Sequence, residues 1–411
     1  MPADRAAKSA PPWSEPPVSP TLTSGLGGVV APLDRFVATL VAKPLARAGA
    51  ELILWDGAVV PGGPPSPSSR VRIDDRFTLV ACAVDPDLRF GEAYADGRLT
   101  VDGDLVELLE RAGRAAARGG RLRVGWLARW RGRARHIGRP KARENALSHY
   151  DLGNDFFAGW LDPSMTYTCA YFERPDQSLA QAQRAKLELV CRKLALQPGE
   201  RVVEAGSGWG ALALHMAAHY GVEVTAYNVS REQLAWARRS ACERGLGDRV
   251  RFVEGDWREI RGRHDVFVSV GMLEAVGRRH YRELGRLIDR CLTADGRGLL
   301  HSIGRARPAP TNAWIDRYVF PDGYTPALSE MLGVLDAASM TVTHVENLRD
   351  HYARTLALWR DAFESYARGD EARLPLRFVR LWRLYLAAAE ASFRSGWLEL
   401  YQAVFERPGR R

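Results

Sequence analysis

The sequence predicts an α/β fold built on a doubly wound, mostly parallel sheet, with a smaller α+β domain before it. Two observations lead to this prediction. From about His149 onward, short apolar runs alternate with amphipathic stretches such as REQLAWARRSACERG, and this alternation is typical of βαβ units. The first apolar run also leads into a glycine-rich turn, as in sheets that bind a ligand at the carboxyl ends of their strands. The strand candidates are VVEAG, VEVTAY, RVRFVEG, DVFVSVG and GLLHSIG.

The N-terminal part of the chain divides into a tail and a compact segment. Residues 1–30 are rich in Pro, Ser, Ala and Gly and have too few large apolar side chains to offset ordering entropy, so we expect a disordered tail. Residues 31–120 predict a small α+β accessory domain, with an apolar-periodic stretch at FVATLVAKPLARAG, strand-like runs at LILW, FTLVACAV and LTVDG, and a helix at DLVELLERAGRAA. Further on, residues 350–367 and 377–405 have helical patterns.

A strongly basic segment, residues 121–145, joins the two predicted domains. From Arg111 to Arg143 the chain has twelve Lys or Arg residues and no acid. Nucleic acid and anionic lipid headgroups both present dense phosphate to such side chains. Trp126 and Trp130 lie among the arginines and suit an interfacial helix. The segment is therefore either a membrane foot or a solvated basic linker.

Composition excludes several classes of protein. The chain has 411 residues, enough for two domains, and its five cysteines form no CxxC pair. We therefore expect neither a disulfide framework nor a metal site, and a reducing cytoplasm fits best. No apolar run reaches the roughly 18 to 20 residues that cross a bilayer. The start of the chain also lacks the apolar core of a signal peptide.

The glycine-rich turn is the sharpest sign of a cofactor site. The strand Val202–Ala205 leads into Gly206, Gly208 and Gly210, and Trp209 lies inside the turn. Glycines let the backbone pass close to a ligand where a Cβ would collide. Taken alone, the turn also fits the dinucleotide pattern GxGxxG/A, so a nicotinamide or flavin enzyme and a plain turn both stay open.

Two details favour S-adenosylmethionine over a dinucleotide. Glu204 lies just before the turn, where a carboxylate can hold the ammonium of a methionine moiety and would repel a pyrophosphate. A dinucleotide fold also has an acidic residue at the end of the second strand, which binds the ribose hydroxyls. This chain has Asn228 at that position. Asn228 and Gln233 offer neutral partners for ribose hydroxyls. Asp256 and Trp257 offer an acceptor and a stacking ring for adenine.

Longer motifs give the chain a family resemblance. In family order they are HYDLGNDFFAGWLDPSMTYTCAYF (149–172), QAQRAKLELVCRKLALQPGERVVEAGSGWG (181–210), SREQ (230–233), GMLEAVG (271–277), LLHSIG (299–304), RYVFPDG (317–323) and HYARTL (351–356). Together they resemble the family of cyclopropane-fatty-acyl-phospholipid synthases and mycolic acid cyclopropane synthases, within the S-adenosylmethionine-dependent methyltransferases. GEAYADGRL (91–99) further resembles the accessory N-terminal domain of the phospholipid enzymes.

The resemblance implies a fold and a set of site residues. Residues 146–411 would form a class I, Rossmann-like methyltransferase domain with a helical cover over an acyl chain. By motif, Tyr167 and Thr168 would join the S-adenosylmethionine site. The positions that hold a bicarbonate ion in the family correspond to Cys169, Glu274, His301, Ile303 and Tyr352.

The implied reaction is methylene transfer to the double bond of an unsaturated phospholipid acyl chain, which forms a cyclopropane. An alkene has no proton to lose first, so attack must be driven by the sulfonium methyl, and the enzyme contributes alignment and exclusion of water. The resulting carbocation suits electron-rich rings such as Tyr167, Trp209 and Tyr352. Ring closure then releases a proton, which a bicarbonate held by Glu274 and His301 can take.

Two departures from the family leave the product open. Ala275 stands where the family usually has His, and Ala389 where it usually has Cys. If the ring does not close and the cation is quenched by another proton loss, the product is a methyl-branched or methylene-bearing acyl chain. Methyl transfer to a soluble small molecule and a catalytically silent lipid-binding protein are further alternatives. Each site residue also has a structural alternative: Glu274 as a helix cap, His301 as a structural residue and Cys169 as core.

The resemblance also implies partners and a location. The substrate would be an unsaturated phospholipid or fatty acyl chain, and the basic segment would meet an anionic membrane surface, with no nucleic acid involved. We expect a cytoplasmic protein that is peripheral at the inner membrane surface. A homodimer fits the family, and a methylene-bearing product would need a separate reductase.

Overall fold

A computed structural model describes residues 30–118, 152–369 and 374–409. The predicted tail before Val30 and the basic segment 121–145, with Trp126 and Trp130, lie outside these residues. Among the described residues, no helix combines the length and the hydropathy required to span a membrane.

Helices and strands alternate along most of the described chain. The helices are α1 (Pro32–Arg47), α2 (Arg76–Val84), α3 (Pro86–Asp96), α4 (Leu105–Arg118), α5 (Asn154–Ala158), α6 (Leu179–Leu194), α7 (Ala211–Tyr220), α8 (Arg231–Glu243), α9 (Leu273–Val276), α10 (Tyr281–Cys291), α11 (Ala313–Tyr318), α12 (Leu328–Asp336), α13 (Arg349–Arg368) and α14 (Leu376–Arg394). The strands are β1 (Ala50–Ile53), β2 (Ser69–Ile73), β3 (Leu99–Asp102), β4 (Arg201–Ala205), β5 (Glu223–Asn228), β6 (Val250–Glu254), β7 (His264–Val270), β8 (Leu292–Gly304), β9 (Thr341–Asn347) and β10 (Glu399–Glu406). Short 3₁₀ turns lie at Trp257–Glu259 and Arg278–His280.

The chain divides into two compact units. The first contains residues 30–112 together with Asn312–Pro321 and Leu374–Tyr385, and the second contains the rest. Thus two segments from the predicted second domain belong to the first unit. Inside the first unit, a three-stranded sheet has the order β1-β2-β3, with β1 parallel and β3 antiparallel to β2. Helices α1 and α2 pack against each other beside this sheet.

One element of the first unit differs from its prediction. The run FTLVACAV, predicted as strand-like, is the helix α2, so that prediction is wrong. Asp75 caps the helix by accepting hydrogen bonds from the main-chain N–H of Thr78 at 2.8 Å and from its hydroxyl at 2.7 Å. The helix buries Thr78, Leu79 and Cys82 on one side. An apolar run carries no clear period, so its caps and its packing decide the structure.

The second unit is built on a seven-stranded sheet of order β6-β5-β4-β7-β8-β10-β9. Strands β6, β5, β4, β7 and β8 are parallel, and β10 runs antiparallel to both β8 and β9. Beyond β4 the strand order reverses, which makes its carboxyl end the topological switch point where such sheets bind ligands. The predicted fold class, a mostly parallel doubly wound sheet with a smaller α+β part, is confirmed.

Helices cover both faces of this sheet. Successive residues of one strand enter different cores: Val202 packs with α6, α7 and α8, whereas Val203 packs with α9, α10 and α12. Val266 and Phe267 on β7 divide in the same way. This alternation follows from the period of two along a strand, and it accounts for strands that are apolar throughout.

The C-terminal segment also differs from its prediction. The helical pattern predicted over 377–405 ends at Arg394, and Glu399–Glu406 forms β10 between β8 and β9, so the last part of that prediction is wrong. Gly396 has φ 73°, a left-handed conformation that interrupts a helix at little cost. Pairing with two neighbouring strands then decides the conformation of the residues that follow.

Candidate active site

The turn after β4 can be made only with glycine at its bend. Gly206 has φ 86°, and a Cβ added there would lie 2.9 Å from Cβ of Met272. The main-chain N–H groups of Gly206 and Ser207 donate to the Tyr227 carbonyl at 2.9 and 3.1 Å, which ties the turn to β5. The turn therefore brings bare backbone to the carboxyl end of β4, at the switch point.

A cavity of about 180 Å³ lies beside this turn. Ten of the residues predicted to bind the cofactor line it: Tyr167, Thr168, Glu204, Gly206, Gly208, Trp209, Asn228, Gln233, Asp256 and Trp257. Gly210, also predicted, does not line it, because a Cβ there would point at the Phe252 ring, 2.6 Å from its Cζ. The role of Gly210 is thus to let α7 pack closely.

Glu204 places a buried carboxylate at the cavity wall. Its side chain is 2 % exposed, and its Oε2 has no hydrogen-bond partner. Burial raises the pKa of Glu204 to about 7, and the nearby Lys186 ammonium opposes that rise. A buried carboxylate oxygen without a partner is costly unless a ligand supplies a donor or a positive charge.

Lys186 is a cavity residue that the sequence reasoning missed. Its side chain is 2 % exposed, and its Nζ donates to Oγ1 of Thr168 at 3.0 Å. Burial lowers the pKa of Lys186 to about 8, while the nearby Cys169 and Glu204 raise it. In the sequence, Lys186 is one of several basic residues on an amphipathic helix, and nothing there distinguishes it from a solvated lysine.

The end of β5 holds two neutral side chains against the turn. Asn228 donates from Nδ2 to the Gly208 carbonyl at 3.0 Å and to Oε1 of Gln233 at 2.8 Å. Both amide hydrogens of Asn228 are therefore used inside the protein, whereas the NH2 group of Gln233 still has hydrogens to donate. Asn228 thus orients Gln233 at the cavity wall.

Asp256 and Trp257 form the wall after β6. Asp256 caps the 3₁₀ turn by accepting from the N–H of Arg258 at 2.9 Å, and the Arg258 guanidinium pairs with the same carboxylate at 2.9 Å. That guanidinium also lies 4.3 Å from the centre of the Trp257 ring. The ring is 7 % exposed. This wall offers a flat aromatic surface next to hydrogen-bond acceptors.

A second group of buried polar residues lies at the carboxyl end of β8. The Ile303 N–H donates to Oε1 of Glu274 at 2.6 Å, and Oε2 of Glu274 is buried without a hydrogen-bond partner. Burial raises the pKa of Glu274 to about 7. Two residues earlier on the same strand, His301 is 2 % exposed, and its Nδ1 lies 3.0 Å from Nε2 of Gln402. Burial, together with Lys186 and Lys193, lowers the pKa of His301 to about 3.

The segment that contains Cys169 is bonded to α13, the helix that carries Tyr352. The Cys169 thiol donates to the Ala170 carbonyl at 3.0 Å, and burial raises the pKa of this thiol. The next N–H, that of Ala170, donates to Oγ1 of Thr355 at 3.0 Å, one turn of α13 from Tyr352. The Tyr352 ring packs 4.6 Å from the centre of the Phe393 ring. Cys169 is thus a neutral thiol inside the core at physiological pH.

The cavity and the buried polar group share a wall. Gly271 lines the cavity, and its N–H donates to the His301 carbonyl at 2.9 Å. Ala275, the neighbour of Glu274, lines the cavity as well. A ligand in the cavity therefore lies next to a buried carboxylate and a neutral imidazole. Such groups can hold an anion or move a proton in a site from which water is largely excluded.

The chain matches a known family model. Residues 138–403 match the model described as mycolic acid cyclopropane synthetase. This range contains the whole cavity wall and the buried group around Glu274.

Curated relatives cover the chain to different extents. A probable fatty acid methyltransferase of Pseudomonas putida is 35% identical over 371 residues, which is 87% of this chain and 91% of that protein. The cyclopropane-fatty-acyl-phospholipid synthase of Escherichia coli (strain K12) is 37% identical over 267 residues, which is 63% of this chain and 66% of that protein.

Solved structures have a similar fold over about two thirds of the chain. The cyclopropane synthase MmaA2 from Mycobacterium tuberculosis matches with a TM-score of 0.61 and 31% identity, covering 64% of this chain and 98% of that one. The mycolic acid cyclopropane synthase CmaA1 complexed with SAH and CTAB matches with a TM-score of 0.59 and 31% identity, with the same coverage of 64% and 98%.

Proposed function

This chain belongs to the mycolic acid cyclopropane synthetase family and is an S-adenosylmethionine-dependent methyltransferase, and from this premise we propose that it adds a methylene group across the double bond of unsaturated phospholipid acyl chains, forming cyclopropanes. The observation that carries the proposal is the shared wall at Gly271, which joins the cavity to the buried group of Glu274 and His301. A methyl donor on one side of that wall would lie beside groups on the other side that can hold an anion or, in the case of Glu274, accept a proton.

The residues of the cavity fit the donor. The unpaired Oε2 of Glu204 suits the ammonium of its methionine part, and the NH2 group of Gln233 suits a ribose hydroxyl. Asp256 and Trp257 suit the edge and the face of adenine, and Thr168 would line the sulfonium end. When bound, S-adenosylmethionine supplies a methyl group on a positively charged sulfur.

Aromatic side chains would stabilise the carbocation that this reaction forms on the acyl chain. Tyr167 lines the cavity, and the centre of its ring lies 5.1 Å from that of Trp359 and 5.4 Å from that of Phe157. Trp359 in turn lies 5.9 Å from Tyr352, edge to face. These faces attract positive charge and carry no nucleophile that would trap it covalently.

The buried group fits a small oxyanion such as bicarbonate. Oε2 of Glu274 has no hydrogen-bond partner, which leaves a position for a donor such as the hydroxyl of a bound bicarbonate. Glu274, His301 and Tyr352 would hold the ion. The N–H of Ile303 is already used by Glu274 and would act by fixing that carboxylate, and the Cys169 thiol already donates to the Ala170 carbonyl. When bound, bicarbonate supplies a base for the proton that ring closure releases.

The first unit supports a substrate that is still in a membrane. Leu33, Phe36 and Leu40 on α1 are 70%, 62% and 48% exposed and recur at helical spacing along one face. On α2, Phe77, Val80 and Val84 repeat the same spacing and are likewise exposed. Two packed helices that each expose an apolar stripe suit insertion into a lipid surface. We therefore include a membrane surface among the partners.

The proposal is tested with the purified full chain, S-adenosylmethionine and vesicles of unsaturated phospholipid. We expect lipid mass to rise by one CH2 group and proton NMR of the extracted lipid to show upfield ring protons. Vesicles of saturated phospholipid are the control and should gain no mass. A mass gain without ring protons would reject cyclopropane formation, and turnover of soluble acceptors alone would reject the lipid substrate.

A methyl-branched or methylene-bearing product is the second candidate. Ala275 lines the cavity where the family resemblance implies a histidine, so this part of the wall lacks that polar side chain. The Pseudomonas putida relative, named a probable fatty acid methyltransferase, is similar over most of this chain. In this case the NMR spectrum would show vinyl or methyl signals in place of ring protons, and saturation of the product would need a separate reductase.

A further inference from the structure

The geometry points to Lys193 and Gln402 as positioning residues that hold His301 as a neutral imidazole with its proton on Nε2, so that His301 acts as a hydrogen-bond donor and not as the base. The effect of this protonation state on turnover rests on the proposed function. The protonation state itself can be measured without turnover.

The pairing of β8 with β10 places Gln402 beside His301. His301 on β8 and Gln402 on β10 are direct cross-strand partners, and Nε2 of Gln402 lies 3.0 Å from Nδ1 of His301. Gln402 is fully buried and His301 nearly so. Because both side chains are buried, the groups that face each other cannot bond to solvent. They must therefore form a hydrogen bond with each other.

Lys193 fixes the orientation of the Gln402 amide. Nζ of Lys193 lies 2.5 Å from Oε1 of Gln402 and 2.5 Å from Oε2 of Glu346. Burial lowers the pKa of Lys193, and the Glu346 carboxylate opposes that fall and favours the ammonium form. An ammonium group only donates, so the amide atom that it contacts must be the oxygen. The NH2 group of Gln402 then faces His301, and Nδ1 of His301 must accept.

The surroundings of His301 exclude a charged imidazole. If Nδ1 accepts from Gln402, a proton on Nδ1 would meet the hydrogens of the amide. Burial opposes a positive ring most strongly, and the nearby Lys186 and Lys193 on α6 oppose it as well; together these causes lower the pKa of His301 to about 3. On β7, the contact with His301 is the main-chain N–H of Gly271. The neutral ring therefore carries its proton on Nε2.

The consequence is a division of roles inside the buried group. A neutral imidazole with a proton on Nε2 can donate to an oxygen of a bound anion or substrate but has no free nitrogen with which to take a proton. The proton released in ring closure must then go to Glu274 or to a bound oxyanion. His301 holds that acceptor in place.

The test is nitrogen NMR of the full chain with ¹⁵N-labelled histidine, in which the His301 signals are assigned by their loss in His301→Asn. We expect Nδ1 in the acceptor state and Nε2 protonated from about pH 6 to about pH 8. Gln402→Glu keeps the shape but offers a carboxylate that accepts from Nδ1–H, so the proton should move to Nδ1 and activity should fall at least about tenfold.

Lys193 provides a second, independent variant. Lys193→Met frees the amide of Gln402 to turn and should mix the two forms of His301, whereas Lys193→Arg keeps a donor and should restore the Nε2–H form. A wild-type ring that is protonated on Nδ1 or positively charged would overturn the inference, as would an unchanged spectrum in both Gln402→Glu and Lys193→Met. Absence of lipid turnover with the expected spectrum would instead contradict the proposed function.

Discussion

The main-chain N–H of Ile303 donates a 2.6 Å hydrogen bond to Oε1 of Glu274 and leaves Oε2 of that carboxylate buried without a hydrogen-bond partner. The bond joins α9 to the end of β8, so two elements of the sheet's carboxyl edge fix the position of one acid. One oxygen of Glu274 is bonded within the fold, and we propose that the other binds a ligand.

Replacing Glu274 should lower turnover without lowering affinity for the methyl donor. In Glu274→Gln, the amide oxygen can still accept from Ile303, but the side chain no longer carries a charge or takes a proton. We expect turnover to fall at least about a hundredfold while affinity for S-adenosylmethionine changes less than about twofold. Calorimetry and a lipid assay measure the two quantities, and Glu232→Gln on the exposed face of α8 is the control. Joint loss of both quantities would contradict the assigned role.

Affinity for the donor should depend on pH through Glu204. Burial raises the pKa of Glu204 to about 7, so the carboxylate that attracts the donor's ammonium is present above that pH and is lost below it. We expect affinity to fall by about tenfold for each pH unit below the pKa of Glu204. In Glu204→Gln, affinity should be weaker above pH 7 and its pH dependence flatter. Titration calorimetry across this range checks the slope, and parallel curves for the two proteins would rule out the role of Glu204.

Substitutions at two glycines distinguish the effect of backbone strain from the effect of a side chain in the cavity. Gly208 and Gly245 have φ 54° and 64°, and a Cβ added at either meets nothing within 4 Å, but only Gly208 lines the cavity. Each change to Ala should cost about 1 to 2 kcal/mol of unfolding free energy, because Ala is strained in this conformation. Only Gly208→Ala should weaken binding of S-adenosylmethionine. Equal affinity in the two variants would place the donor elsewhere.

The apolar stripe of α1 should bind lipid vesicles. Replacing Leu33, Phe36 and Leu40 with Ser removes exposed apolar surface, and we expect vesicle affinity to fall at least about tenfold. Calorimetric affinity for S-adenosylmethionine should stay unchanged. The control replaces Val342 and Val345, which are exposed on β9, with Ser. Sedimentation with anionic vesicles measures binding, and equal pelleting of both variants would contradict a membrane role for this stripe.

The sequence predicted the sheet where local pattern and packing agree. Strands β4 to β8 are apolar runs between amphipathic helices, and both the turn and Glu204 follow from the first of them. The run FTLVACAV and the end of the chain were predicted wrongly, because a cap at Asp75 and pairing of β10 with two strands decide them. Neither determinant is visible as a period in the sequence.

The site was less predictable than the fold. Residues next to the glycine turn could be placed from their distance to it, but Lys186, Lys193 and Gln402 could not. Gln402 meets His301 across 101 positions of sequence, and Lys193 meets Gln402 across 209. Only the folded sheet brings such residues together, and each on its own resembles an ordinary surface residue.

The most direct test of this account follows the donor's methyl group. The purified chain is given S-adenosylmethionine with a trideuterated methyl group and vesicles of unsaturated phospholipid, and the lipids are examined by mass spectrometry and deuterium NMR. We predict two deuterium atoms on one ring carbon, because ring closure removes the third. Lipids without deuterium, or chains that retain all three atoms on a methyl branch, would contradict it.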